Sequence, residues 1–461
     1  MSDAIVFKDD TIVAPATPPG EGGIGIVRLS GPGAEELLKR FFSPSRVSAR
    51  LESHYLYHGL FKDTSGRSVD EVMAVIMRKP RSYTREDVVE IHCHGGGLLV
   101  RRVLDLFLQA GARLARPGEF TLRAFLNGRI DLTRAEAVIE LIRSRSELAC
   151  SVALSQLEGN LAYKLGEFKQ VLANLLAEIE AAIDFSEEDI EPEDNALLGQ
   201  RAGQLIAEMD KLIRTFDSGR VLKEGLKILI FGRPNAGKSS LLNGLLGEAR
   251  AIVTDIPGTT RDTIEEDLVL GGLPLRLVDT AGIRHTLDPV ESEGVRRARA
   301  KIDSADLILL VIDGSQALND DDLLAIECCR GRDVLVVLNK SDLGCLPLPE
   351  TLESLPLVRV SALGGQGFNN LINYIQDHFS CRAEFGEHRE TVVLTDRRHR
   401  QALLKARAAL GRFRDTLAGG MSPEFCAVEL KEALDAVGEI TGETTPEDIL
   451  ERIFTKFCIG K

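Results

Sequence analysis

Gly232-Arg233-Pro234-Asn235-Ala236-Gly237-Lys238-Ser239 follows the apolar run Leu226-Lys227-Ile228-Leu229-Ile230-Phe231 and precedes a helical pattern over residues 240–246. The spacing G-x-x-x-x-G-K-[ST] between a buried strand and a helix is what phosphate binding requires. Loop amides and the helix N-terminus point at phosphate oxygens, Lys238 neutralises the β and γ charges, and the Ser239 hydroxyl ligates Mg²⁺. Asn235, Ala236, Gly237, Lys238, Ser239 and Ser240 are therefore nucleotide-binding candidates, with Lys238 also a catalytic one.

Strands alternate with helices from this loop to about Asp377, the pattern of a doubly wound parallel sheet. A strand at 275–278 leads into Asp279-Thr280-Ala281-Gly282, where Asp279 reaches the magnesium through water and the Gly282 amide meets the γ-phosphate. A strand at 334–338 ends in Asn339-Lys340-Ser341-Asp342. Asp342 accepts two N–H bonds from guanine, whereas adenine would leave that carboxylate facing an acceptor. After 358–360 comes Ser361-Ala362-Leu363, whose backbone contacts the base O6. Between the first two elements, Thr254-Asp255-Ile256-Pro257-Gly258-Thr259-Thr260 reads as a mobile switch, with Thr260 the second magnesium ligand. Order, spacing and strand context resemble the TRAFAC class of translation-factor-related GTPases, so GTP and GDP are the expected nucleotides.

In Ras-like proteins a glutamine after the Asp-x-x-Gly element positions water, but Ile283 stands there, so the missing charge must come from elsewhere. Asn235 together with the Thr-Asp-Ile-x-Gly-Thr-Thr switch resembles the potassium-activated GTPases. That resemblance implies K⁺ held by Asn235, the carbonyls of Thr254 and Ile256, and Thr259, with Asn235 assisting catalysis. The other reading is that Asn235 only caps its loop.

Outward from the G domain, residues 12–116 show short strands at 25–29, 54–60, 71–77 and 88–93, then a helix with Leu98, Val103, Leu106 and Phe107 on its apolar side. Apolar residues at 157, 161, 165, 168, 172, 175, 179 and 183 predict one long amphipathic helix. A second carries Leu205, Ile206, Met209, Leu212 and Phe216. Helices resume after Arg397, so the α/β module is inserted into a helical domain. In residues 397–414 the apolar Ala402, Leu403, Ala406, Leu410 and Phe413 share one side. Arg397, Arg400, Arg407 and Arg414 line one flank, and Arg398, Lys405 and Arg412 the other. This most basic stretch is either a nucleic-acid-contacting surface or the solvated flank of a core helix.

The 461 residues exceed one core and predict two to three domains. With 44% hydrophobic and 27% charged residues and no apolar run of about 18 residues, the chain reads as soluble, with no membrane partner. Met1-Ser2-Asp3 opens no export signal, which places the protein in the cytoplasm. A net charge of −14 disfavours wholesale wrapping of nucleic acid and leaves room for a local basic patch. The eight cysteines form no C-x-x-C pair, which argues against disulfides and structural zinc. His92 and His94 share a strand face without a distant ligand pair, so no metal is expected there.

Ala16-Thr17-Pro18-Pro19-Gly20, His94-Gly95-Gly96, Arg116-Pro117-Gly118-Glu119-Phe120-Thr121, Arg123-Ala124-Phe125 and the closing Cys458-Ile459-Gly460-Lys461 resemble the MnmE (TrmE) family of tRNA-modification GTPases across essentially the whole chain. Glu21 departs from the arginine or small residue expected there. The resemblance implies a multidomain protein. Residues 1–118 would be an α+β folate-binding and dimerisation domain, 119–219 the first half of an all-α helical domain, 220–379 the inserted α/β P-loop G domain, and 380–461 the second helical half with its tail.

It further implies a homodimer and a partner flavoprotein, MnmG (GidA), through which alone FAD enters. Together they would add an aminomethyl or carboxymethylaminomethyl group to C5 of wobble uridine in certain tRNAs, using 5-formyl- or methylene-tetrahydrofolate. Carried over by position, Arg28, Glu90, Arg129 and Lys461 contact the folate. Glu291 acts indirectly on the hydrolytic water. Cys458 is either a thiolate nucleophile or a residue buried beside Phe457 and Ile459. The alternative function is a ribosome-assembly or regulatory GTPase without a folate substrate.

Overall fold

The computed structural model describes residues 10–45, 51–184, 195–248, 265–270, 272–279, 299–347, 352, 355–382 and 392–461. The chain divides into two units, one of Met1–Ile139, Gln156–Glu193 and Gly419–Lys461, the other of Glu140–Ser155 and Asp194–Ala418. No helix among the described residues is long and apolar enough to cross a membrane.

The first unit is built on a sheet of β1 (Ile12–Pro15), β2 (Gly22–Ser30), β3 (Phe42–Pro44), β4 (Leu56–Lys62), β5 (Ser68–Met77), β6 (Val88–Gly95) and β7 (Arg113–Leu114), in the order β3-β4-β5-β6-β2-β1-β7. All neighbours are antiparallel except β1 and β7. Alternation sends Val27, Leu29, Val89, Ile91 and Cys93 into a core with Phe41, Phe61 and Phe107, and Arg28, Glu90 and His92 to the opposite face. The helix Gly97–Gln109 buries Val103, Leu106 and Phe107 as expected, but Leu98 is 79% exposed. At 100° per residue, Leu98 lies on the far side from the arc those three share.

Two expected helices prove to be interrupted. Leu157 belongs to Glu147–Glu158, and a turn at Gly159, with φ of 103°, separates it from Asn160–Asp184. Arg134 closes that turn by donating from Nη2 to the Glu158 carbonyl at 2.7 Å. Asn160–Asp184 buries Leu161, Leu165, Phe168, Leu172, Leu175 and Ile179, and packs against Pro423–Thr441. Phe216 likewise lies outside Asn195–Arg214 and begins its own helix, Phe216–Glu224. Thr215 marks the break, its hydroxyl donating to the Leu212 carbonyl at 2.7 Å and accepting from the Leu394 amide at 3.1 Å.

The second unit holds β8 (Leu226–Phe231), β9 (Glu265–Leu270), β10 (Leu273–Asp279), β11 (Leu307–Asp313), β12 (Val334–Asn339) and β13 (Leu357–Arg359), in the order β13-β12-β11-β8-β10-β9. Only β9 runs antiparallel to its neighbour. Alternate residues enter different cores, Leu307, Leu309 and Val311 on one face and Ile308, Leu310 and Ile312 on the other. Both faces are covered, as a parallel sheet requires. The helix Arg397–Ala418 packs against Asn195–Arg214 and buries the predicted Ala402, Leu403, Ala406, Leu410 and Phe413. Its basic flank is engaged within the unit. Arg407 pairs with Asp210 at 3.1 Å, Arg397 lies 3.7 Å from Glu224, and Arg400 sits 5.0 Å above the Phe216 ring.

In the first unit the helix Glu119–Leu126 is anchored by a buried ion network. Arg123 donates to Asp10 at 2.7 Å, to Glu119 at 3.0 Å and to Glu86 at 3.1 Å, while Arg113 reaches Glu119 at 2.5 Å. Burial pushes the Glu119 carboxyl upward, but Arg113, the Arg116 amide and Arg123 outweigh it and hold it below its ordinary range. Replacing the buried Arg123 with Met strands these carboxylates. Urea unfolding should show Arg123→Met less stable by about 3–5 kcal/mol at neutral pH. The deficit should narrow as pH falls through the carboxylate range, because protonation relieves uncompensated charge.

Candidate functional site

β8 delivers the phosphate loop at its carboxyl end, and two glycines there answer to sterics. A Cβ on Gly232 would lie 2.3 Å from the Val311 carbonyl, and one on Gly237 would lie 2.0 Å from the Asn339 amide nitrogen. Asn235 is left-handed at φ 64° and exposed. Lys238 opens the helix Lys238–Glu248, and its ammonium donates to the Gly232 carbonyl at 2.8 Å and the Arg233 carbonyl at 2.7 Å. Ser239 beside it is exposed and Ser240 half-buried, so a hydroxyl is free to meet a magnesium ion there.

Asn339 joins three loops. Its side-chain nitrogen donates to the Ala236 carbonyl at 3.0 Å, and its oxygen accepts from the Lys340 amide at 2.8 Å and the Ala362 amide at 3.0 Å. The phosphate loop, Asn339-Lys340-Ser341-Asp342 and Ser361-Ala362-Leu363 are thereby held as one surface. Asp342 and Leu363 are exposed upon it. Ser361 is buried and receives the Gly364 amide on its hydroxyl at 3.0 Å. Asp279 ends β10, opposite Ile230 of β8 in register. Thr254, Asp255, Ile256, Pro257, Gly258, Thr259, Thr260, Thr280, Ala281, Gly282 and Glu291 lie outside the described residues, as does Ile283.

Sequence reading passed over Asp313, the buried carboxylate at the end of β11. It accepts from Lys340 Nζ at 2.7 Å and from the Ser315 hydroxyl at 2.6 Å. Burial raises its pKa, and Lys340 and Ser315 more than reverse this. Arg233 lies 3.2 Å from Asp322 and donates to Gln316 at 3.1 Å, which ties the phosphate loop to the start of Asp320–Cys328. The signal for Asp313 is available in the sequence. Like Asn339, it is a polar residue closing an otherwise apolar strand.

The first unit gathers a second set. Arg28 and Glu90 are register partners on β2 and β6, and Arg28 Nε donates to Glu90 Oε1 at 2.7 Å. Arg28 Nη1 also donates to the Gly460 carbonyl at 3.1 Å, drawing the Cys458-Ile459-Gly460-Lys461 tail against β2. The Arg28 guanidinium lies 6.0 Å from the Tyr83 ring and 5.8 Å from the Phe120 ring. Arg129 lies 4.8 Å over Tyr83 and donates to the Tyr83 carbonyl at 2.9 Å. Burial and then Arg28 lower the Lys461 pKa, against the opposite pull of Glu90 and Cys458.

Arg28 and Arg129 thus lie over Tyr83, an aromatic that no motif singled out, with Glu90 paired to Arg28 and Lys461 close enough to feel both. Cys458 is exposed, as is Ile459, while Phe457 is buried, so the tail presents the thiol rather than packing it away. His92 faces Glu90 at 3.4 Å, His94 hydrogen-bonds Asp70 at 2.7 Å, and Cys93 points into the core, where burial pushes its thiol up to about 11.

Two family models match this chain, "GTP-binding protein TrmE N-terminus" over residues 11–129 and "MnmE helical domain" over residues 132–458. A curated tRNA modification GTPase MnmE from Syntrophotalea carbinolica is 74% identical over 99% of this chain and 100% of its own length. The MnmE of Geobacter metallireducens is 51% identical over 99% of this chain and 100% of its own. That of Aquifex aeolicus is 47% identical over 98% and 100%.

Asp313→Asn removes the counter-charge under Lys340. A charge-assisted hydrogen bond is worth about 1.5–3 kcal/mol, so GDP affinity should fall roughly 10- to 150-fold. Stopped-flow release of a fluorescent GDP analogue should show the loss mainly as faster dissociation, and a parental rate would remove Asp313 from the site.

Proposed function

The chain belongs to the MnmE (TrmE) family of tRNA-modification GTPases, and from that premise we propose how its two groups of residues divide the work. It hydrolyses GTP in the service of tRNA modification. Lys238 and the loop amides take the β and γ phosphates, Ser239 with Thr260 holds Mg²⁺, and Asp342 and the Ser361-Ala362-Leu363 backbone select guanine. Glu291 acts on the attacking water indirectly. Asn235, Thr254, Ile256 and Thr259 hold K⁺, which supplies the positive charge that the aliphatic Ile283 cannot. The left-handed, exposed Asn235 suits this role, since its side chain is open to solvent at the loop's surface.

The second group is a one-carbon carrier site. A tetrahydrofolate presents an amidine-like pterin edge and an acidic tail. Glu90 accepts from the first, while Arg28, Arg129 and Lys461 face the second. The half-buried Tyr83 ring offers an apolar wall to the ring system. The carrier supplies a carbon at the oxidation level of formyl or methylene. Cys458 stands exposed beside this site as a candidate nucleophile. The protein acts as a homodimer in the cytoplasm with the flavoprotein MnmG (GidA), which contributes FAD, and the product carries an aminomethyl or carboxymethylaminomethyl group on C5 of the wobble uridine. No observation favours the ribosome-assembly or purely regulatory alternative.

The observation that carries the reading is the 2.7 Å Arg28–Glu90 pair capped by the Gly460 carbonyl, because it gathers cations and a carboxylate from distant parts of the chain at one aromatic surface. Calorimetric titration of the full chain with 5-formyltetrahydrofolate should give saturable binding. Glu90→Gln should weaken it about 10- to 150-fold, the worth of a charged hydrogen bond. An absence of binding to the parent protein, or full affinity in the variant, would contradict the assignment.

A further inference from the structure

The connection from β5 to β6 reads Arg78-Lys79-Pro80-Arg81-Ser82-Tyr83-Thr84-Arg85-Glu86-Asp87. Arg78 is occupied by Glu35, to which it donates at 2.9 and 2.8 Å. Lys79, Arg81 and Arg85 are exposed, and none of them makes an ion pair among the described residues. The acids of the loop are turned to other work. Glu86 accepts from the Ser30 hydroxyl at 2.6 Å and from Arg123, and Asp87 accepts from the Lys79 amide at 2.9 Å.

The loop is also held rigidly. Arg85, left-handed at φ 61°, donates to the Asn127 carbonyl at 2.8 Å, and the Asn127 amide donates to the Thr84 carbonyl at 2.7 Å. Arg129 from the same turn grips the Tyr83 carbonyl at 2.9 Å. Lys79, Arg81 and Arg85 therefore stand exposed on the same loop as Tyr83, which Arg28 approaches at 6.0 Å and Arg129 at 4.8 Å, and together with Arg129 they make a basic rim on that loop. In a chain of net charge −14, Lys79, Arg81 and Arg85 make no ion pair among the described residues, whereas the arginines at 397, 400 and 407 are met by Glu224, Phe216 and Asp210.

We propose that this rim docks the phosphate backbone of the RNA substrate beside the carrier site. The inference rests on the one-carbon reading of that site, because a uridine base can reach a bound carrier only if its own backbone crosses the pocket's edge. Exposed arginines on an ordered loop suit phosphates, which their planar donors grip two at a time. The helix Arg397–Ala418, more basic in sequence, is left to intramolecular packing.

The test uses the full chain with Lys79, Arg81 and Arg85 all changed to Gln, and an unmodified tRNA bearing uridine at the wobble position. Binding is measured over a series of salt concentrations. Each phosphate contact contributes about 0.7 to 0.9 to the slope of log affinity against log salt, so the slope should shrink by roughly 2 to 3. Affinity at low salt should fall at least about tenfold, and Arg397→Gln with Arg414→Gln should leave the slope unchanged. The single change Arg81→Glu, at an exposed position, should weaken binding in the same direction and guards against misfolding of the triple variant. A parental slope in both variants overturns the proposal. So does loss of binding to the flavoprotein with tRNA binding intact, which would make the rim a protein contact. Titration of the parent with 5-formyltetrahydrofolate separates the two readings. If the carrier fails to bind while the slope still drops, the carrier site is wrong and the rim remains an RNA surface.

Discussion

A parallel sheet buried on both faces leaves its side chains no access to water except at the strand ends, and that constraint organises the second unit. Leu307 to Ile312 alternate between two apolar cores, so β11 can place its first useful polar group only at Asp313. The same holds for Asn339 at the end of β12. With the strands in parallel register, these ends lie along one edge together with the loop that follows β8. Asn339 then makes the edge a single object, since one amide side chain bonds the phosphate loop and the Ser361-Ala362-Leu363 loop at once. The loop after β8 and the Ser361-Ala362-Leu363 loop are consequently mechanically linked.

The first unit solves a different problem with an antiparallel sheet. One face carries the Phe41, Phe61 and Phe107 cluster, with ring centroids 5.4 to 5.7 Å apart, and the other is open to charged residues. Arg28 and Glu90 can face one another because their strands are register partners. The tail reaches them through close backbone packing at Gly460, where a Cβ would lie 2.0 Å from the Pro15 carbonyl. Loss of that glycine would therefore disturb the tail's approach to Arg28 without touching a charged group.

Sequence pattern made the G domain legible because its signals are local. A buried strand, a glycine loop and a helix follow in order, and each polar motif ends an apolar run. Helix breaks were less visible. The apolar spacing runs through Gly159 and Thr215 without interruption, so periodicity alone joins segments that a left-handed turn and a threonine bonded to Leu212 separate. The Arg28–Glu90 pairing spans 62 residues and depends on strand register, which no spacing rule encodes; the two residues entered through family resemblance, their pairing only through the structure. Tyr83 and Asp313 were missed for opposite reasons. The first sits in a loop without periodicity, and the second closes an apolar strand that carries no nucleotide motif.

The two groups of residues have meaning together only if nucleotide hydrolysis and one-carbon chemistry act on the same RNA. The most direct measurement is transfer of isotope from a tetrahydrofolate labelled at its one-carbon unit into tRNA, with the flavoprotein partner, GTP and K⁺ present. The account predicts label at C5 of the wobble uridine, dependent on both GTP and an intact Glu90. Modified uridine that forms without label would contradict it.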